Sequence, residues 1–313
     1  MPFVRATVRA AVQTLAVDAV TARVVSTLRN RAIPCVVLRG PAIAAQLYDG
    51  DELRAYVDVD LLVPPASWRE AGETLAALGF RPAFTESDMP RHRRLHASEW
   101  TNDEARVSVD LHRTLSGVQA EDGEVWDAFS ESGQAGSVAG EQVVLAGPVA
   151  LALVVALHAA QHGVREQKSM EDLRRALERL DGKIWEETAA LAVRLGAVSA
   201  LSAGLRLLPR GAELADRLGL PAALPVEVAL RASAAPKLAL GLEWLSRTHG
   251  LRAKIALVLL ALVPPPGALR AWRPLARRGR IGLVAAYLSH PLWLARHVVP
   301  SLRAYRRAKK GER

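Results

Sequence analysis

Apolar and polar positions along the chain predict a few buried strands in the first 146 residues and helices almost everywhere after Pro148. Tyr56-Val57-Asp58-Val59-Asp60-Leu61-Leu62-Val63 reads as a buried strand that stops at Pro64-Pro65. Before it, Val36-Val37-Leu38 predicts a strand leading into the turn Arg39-Gly40. A short helix follows, with Pro41 in its first turn, through Leu47-Tyr48 to Gly50. Arg106-Val107-Ser108-Val109-Asp110-Leu111-His112 predicts another strand, with Asp110 and His112 on one face, and Gln142-Val143-Val144-Leu145 a short one. Val4, Val8, Val12, Leu15 and Val24 fit one face of an N-terminal packing helix. Ser67 and Glu70 have the spacing of a capping box, opening a helix that ends near Gly79. Val149 to Gly163 predicts a largely buried helix, and further helices run from 184 to 262, broken at Gly211, Pro221–Pro225 and Pro236.

Half of the 313 residues are hydrophobic, enough for one large core or two modest ones. The single cysteine, Cys35, excludes an internal disulfide framework and fits a buried thiol in a reducing compartment. Arg5, Arg9 and Asp18 interrupt the first 30 residues, which therefore lack the apolar run of a signal peptide; a cytoplasmic location is expected. Charge is distributed unevenly. Residues 264–313, opening on Pro264-Pro265-Pro266-Gly267, contain 12 Lys/Arg and one acid, Glu312, a net of +11. The whole chain is +9, so residues 1–263 sum to −2. The segment also carries Ile281–Leu288 and Leu292-Trp293-Leu294, interrupted at His290-Pro291 and short of the ~20 residues a spanning helix needs. Such a basic amphipathic tail could lie on an anionic membrane surface, dock on the rest of the fold or bind nucleic acid. Three units are expected: 1–146, 147–263 and 264–313.

The candidate chemistry sits on the strands. Asp58 and Asp60 project from one strand face, with Cα atoms roughly 6–7 Å apart. Two such carboxylates repel and are costly to desolvate, and a bound cation relieves both problems. Mg²⁺ prefers carboxylate, phosphate and water oxygens. Arg91, His92, Arg93, Arg94 and His96 form a basic cluster that could hold triphosphate or stay solvated. His158 and His162 share a helix face at i, i+4, but no glutamate follows His158 and no third ligand is evident, so zinc is not indicated.

Taken together, Val37-Leu38-Arg39-Gly40, Leu47-Tyr48, Leu53-Arg54, Asp58-Val59-Asp60-Leu61-Leu62-Val63 and Val109-Asp110-Leu111-His112 resemble the nucleotidyltransferase superfamily, of polymerase-β-like fold. The resemblance is to a poorly characterised bacterial branch and covers about residues 30–175. It implies an α+β fold: a mixed sheet with flanking helices, then an all-helical C-terminal domain. It also implies transfer of a nucleoside monophosphate from an NTP, ATP being expected, to an unidentified acceptor hydroxyl or phosphate. Asp58 and Asp60 would bind two Mg²⁺ ions, with Mn²⁺ as a substitute, and Asp110 the acceptor-side ion, or act as base. Gly40 would let the backbone approach the triphosphate, with Arg39 and Arg54 adding charge. His158, His162, Lys168 and Asp172 would line the cleft from a helical domain closing over it, or else form a polar network pinning two helices. Two departures stand out: Arg39 where the branch has lysine, and Pro41 where the wider superfamily often has serine. A nucleotide-binding pseudoenzyme and a membrane-surface adaptor, peripheral at the inner membrane face, stay open as alternatives.

Overall fold

The computed structural model describes residues 2–50, 52–83, 96–102, 104 and 106–311. Helix α1 (Pro2–Asn30) leads into β1 (Val36–Val37), α2 (Pro41–Leu47) and β2 (Asp58–Leu62). After α3 (Trp68–Ala77) come β3 (Arg81–Pro82), β4 (Ala97–Asn102), β5 (Val107–His112), α4 (Asp122–Glu131), β6 (Gln134–Val138) and β7 (Glu141–Leu145). The described strands form one mixed seven-stranded sheet in the order β3-β4-β5-β2-β1-β7-β6. β2 runs parallel to β5 and antiparallel to β1, and β1 runs parallel to β7. Val36, Val37, Leu38, Val59, Leu61, Leu62 and Val63 are all essentially inaccessible. Val36-Val37-Leu38 and Leu61-Leu62-Val63 are apolar runs buried on both faces, and Asp60 is the buried charge between Val59 and Leu61.

Two local expectations need correction. The inward face of α1 is Thr14, Val17, Thr21, Val24, Val25 and Leu28, whereas Val8, Val12 and Leu15 are exposed; the side chain of Val4 lies outside the described residues. Thr21 buries its methyl group while its hydroxyl donates to Val17 O at 2.8 Å, so a nominally polar residue sits in the core at no hydrogen-bonding cost. Ser67 makes no side-chain cap on α3; a 3-10 turn, Pro65–Ser67, feeds the helix instead. The polar stretch 121–140 holds both α4 and β6, because α4 buries little beyond Asp122, Val125, Ala128 and Phe129.

The second half is helical: α5 (Pro148–His162), α6 (Gln167–Arg179), α7 (Gly182–Arg194), α8 (Val198–Leu205), α9 (Pro209–Arg217), α10 (Val226–Ala232), α11 (Lys237–Arg247), α12 (Leu251–Leu262), α13 (Pro266–Trp272) and α14 (Gly279–Gly311). Helix α5 buries ten of its fifteen residues. Being apolar almost all round, it is the shared partner of the sheet side and of α6, α7 and α8. One hydrophobic core runs without a break from β1 and β2 through α5 to α9.

The C-terminal stretch is not a tail free of the fold. Helix α14 continues through Pro291 and Pro300, so His290-Pro291 does not interrupt it. A proline costs a helix one backbone hydrogen bond. Contacts just before Pro291 hold the helix in place: Tyr287 Oη donates to Pro264 O at 2.7 Å and His290 Nε2 to Ala261 O at 2.9 Å. Its last turns dock through Ala304, Tyr305 and Ala308 on Val226, Leu230 and Ala239. Among the described residues no helix is long and apolar enough to cross a membrane.

Candidate active site

The parallel pairing of β2 with β5 sets Asp60 opposite Asp110, with Leu62 opposite His112. Side chains two apart on a strand share a face, so Asp110 and His112 both rise beside Asp60. One ligand atom each from Asp60, Asp110 and His112 lie within 4.8 Å of one another. His112 Nε2 is 3.1 Å from Asp60 Oδ1, while its Nδ1 is buried with no hydrogen-bond partner among the described residues. Asp58, expected among the metal ligands, stands at the start of β2 outside this cluster and is half-buried. His112 was visible in the sequence as the same-face neighbour of Asp110; its closeness to Asp60 depends on the strand register.

Electrostatics separates the two clustered acids. Burial pushes Asp60 up, but the Arg39 guanidinium and His112 imidazole outweigh it and hold the carboxyl well below the usual carboxylate range. Burial, then the charge of Asp60, pushes Asp110 up to about 6. The site therefore combines a firmly ionised acid with one poised to exchange a proton near neutrality.

Arg39 links the sheet to the helices. One nitrogen pairs with Asp60 Oδ1 and another donates to His158 Nδ1 at 2.6 Å. His158 is held well below its ordinary pKa, first by burial and then by Arg39, so it is neutral and able to accept. His162 lies with its ring centroid 4.5 Å from that of His158 and is also shifted down by burial and Arg39. Lys168 is half-buried, and desolvation followed by the charge of Arg54 lowers its pKa, while Asp58, Asp172 and Asp60 pull the other way. Asp60, Arg39 and His158 thus form one bonded chain, with the His162 ring beside His158 and Lys168 within electrostatic reach of Asp58 and Asp60.

Arg54 and Asp172 are committed to each other. Two bonds join them, Nε to Oδ1 at 2.8 Å and Nη2 to Oδ2 at 2.6 Å, and both side chains are under 5 % exposed. Tyr48 Oη donates to the same Asp172 Oδ1 at 2.8 Å, and Arg54 Nη1 reaches Gly40 O at 3.3 Å. The pair therefore clamps the glycine turn to α6. Gly40 has φ +51°, a conformation costly for other residues, and a Cβ there would sit 3.4 Å from the Tyr56 ring. Of the basic cluster, Arg91, His92, Arg93 and Arg94 lie outside the described residues; the His96 ring centroid is 6.4 Å from that of His112.

The sequence pattern of the family described as uncharacterised nucleotidyltransferase matches residues 2–210. The chain belongs to that nucleotidyltransferase family. The match takes in the sheet and α5 to α8, hence every residue of the cleft. No curated protein matches this nucleotidyltransferase. Among solved structures it is similar to the antibiotic-resistance factor ANT(2'')-Ia in solution, at 20 % identity and TM-score 0.41 over 56 % of this chain and 90 % of that one. It is similar to ANT(2'')-Ia crystallised with adenylyl-2''-tobramycin, at 20 % identity and TM-score 0.42 over 56 % of this chain and 97 % of that one. An antigenic nucleotidyltransferase-like protein from Paracoccidioides brasiliensis matches at 14 % identity and TM-score 0.34, over 59 % of this chain and 92 % of that one.

The donor set of the nucleotidyltransferase suits a divalent cation. Two carboxylates and an imidazole converge, and the like-charge repulsion that raises Asp110 is the cost a cation would remove. Carboxylate oxygens are the ligands Mg²⁺ prefers.

Proposed function

We propose that this nucleotidyltransferase moves a nucleoside monophosphate from an NTP, with ATP as the expected donor, to an acceptor hydroxyl or phosphate, releasing pyrophosphate. The observation that carries the reading is the cross-strand Asp60–Asp110 pair with His112 at its side and Arg39 across it. Bound there, a divalent ion would neutralise phosphate charge and lower the pKa of the acceptor oxygen. Asp60, Asp110 and His112 would hold one ion, and Asp58, at the mouth of β2, would with Asp60 serve a second.

Each protein group has a role that its surroundings support. Asp110, with its raised pKa, takes the acceptor's proton as general base or holds the acceptor-side ion. Arg39, the guanidinium already aimed across the cleft by neutral His158, turns from Asp60 to the phosphate oxygens as the nucleotide enters. Gly40, at a positive φ that other residues adopt at a cost, sets the turn whose backbone would meet the triphosphate. Lys168, close enough to feel Asp58 and Asp60, adds positive charge from the helical side, and His162 backs His158. Arg54 and Asp172 act through the turn that they hold and not by touching nucleotide. In this reading residues 1–146 carry catalysis, 147–263 close the cleft, and the enzyme works in the cytoplasm.

The test is incubation with each labelled NTP and Mg²⁺ in a cell extract, followed by mass analysis. A nucleotide adduct that needs Mg²⁺, and that D60N fails to make, supports transfer. Nucleotide binding without any adduct or pyrophosphate release would mean a scaffold that has kept only the nucleotide site.

A further inference from the structure

Helix α12 is an anomaly for a water-soluble surface. Ten of its twelve residues are Leu, Ile, Val or Ala, the other two are Arg252 and Lys254, and not one is buried. A helix apolar on all sides belongs in a core or against lipid. Leu251, Ile255, Leu259 and Leu262 are between 48 % and 74 % exposed at i, i+4, i+8 and i+11.

Helix α14 repeats the feature on its outer side. Gly282, Ala286 and His290 face inward. Ile281, Val284, Leu288 and Leu292, on the opposite side, are 58–86 % exposed, and Val299 continues their line at 51 %. At 1.5 Å per residue this stripe is about 27 Å long. The same register carried past Val299 falls on Arg303, Arg306 and Lys310, all exposed. The apolar line thus gives way to a cationic one on a single helix face. His290 Nε2 and Tyr287 Oη fasten α14 to the end of α12 and to Pro264, so the two apolar helices are neighbours in the fold.

We propose that these two neighbouring apolar faces, the exposed length of α12 and the outer stripe of α14, seat in the headgroup region of an anionic bilayer. Charge complementarity selects that occupant: residues 251–313 bear 14 Lys/Arg against Glu312 alone. An apolar face framed by cations binds anionic lipid by burial and attraction together. A helix of twelve residues spans about 18 Å, too short to cross a hydrocarbon core of about 30 Å, so α12 lies in the interface plane. The inference is independent of the transfer reaction and bears on where that reaction takes place.

The experiment is cosedimentation of the full chain with phosphatidylcholine vesicles, with and without phosphatidylglycerol. The intact chain is expected to pellet with the anionic vesicles, and added salt to release it in part. L259E and L288E, both at exposed positions, should each weaken binding about tenfold or more. Their melting temperature and ATP binding should stay at the wild-type values, and R303E with R306E should weaken anionic binding selectively. The proposal is overturned if the intact chain stays in the supernatant, or if L259E and L288E bind as tightly as wild type. It is equally overturned if sedimentation velocity finds a stable dimer that these two substitutions dissolve, since the face would then be an interface between copies.

Discussion

Replacing Asp172 is expected to damage stability before it touches chemistry. Arg54 is 4 % exposed at its side chain, and Asp172 supplies two of its hydrogen bonds and its only close counter-charge among the described residues. Tyr48 and Tyr56 flank the guanidinium at 6.0 and 5.8 Å, which leaves little room for water to replace the carboxylate. Breaking one partner of a buried ion pair costs about 3–5 kcal/mol. D172N keeps an acceptor for Tyr48, worth about 1 kcal/mol, and should fall near the lower end; D172A should fall near the upper. Either is a large share of the roughly 5–15 kcal/mol that holds a domain together. Removing both charges in R54M/D172L should recover most of the loss, because no unpaired ion remains. Urea unfolding of the wild type, D172L, R54M and R54M/D172L closes the cycle, and a coupling of about 3 kcal/mol is expected. Near-additive losses, or a D172A cost under about 1 kcal/mol, would refute the clamp. A D172N variant of full stability with greatly weakened ATP affinity would restore Asp172 as a nucleotide contact.

Two further outcomes follow from the surroundings of single groups. Asp110 is raised to about 6 in the fold by burial and by Asp60, so the folded chain binds its proton more tightly than the unfolded one. Metal-free stability should therefore fall as pH rises from about 4 to 6, and Mg²⁺ affinity should fall as pH drops below about 6, both readable by calorimetry. Burial pushes the Cys35 thiol up to about 12, with Arg29 opposing weakly, so a thiol reagent at pH 8 should label it only at the rate of unfolding.

What could be read without coordinates follows from how each element is buried. Strands β1, β2 and β5 and the Gly40 turn were legible because β1 and the end of β2 leave apolar runs, β5 alternates apolar with polar residues, and a glycine turn leaves its own mark. Strand β4 was not, since Ala97–Asn102 is half-exposed and mostly polar. The phase of α1 misled because Thr14 and Thr21 are core residues written in polar letters. The site was legible as a set of acids on faces, but not as a cluster. A two-residue slip of β2 against β5 would set Asp58, not Asp60, opposite Asp110, and no local pattern distinguishes the two registers. Arg54 and Asp172 stand 118 residues apart, so their mutual commitment could not be seen from spacing.

The most direct test of the account is calorimetric titration of ATP with Mg²⁺ into the wild type, D60N and D110N. The account predicts Mg²⁺-dependent binding by the wild type, its loss by at least about 10²-fold in D60N, and a smaller loss in D110N, whose carboxylate serves the acceptor side. Wild-type protein that binds no nucleotide with either Mg²⁺ or Mn²⁺, or a D60N variant that binds as the wild type does, would contradict it.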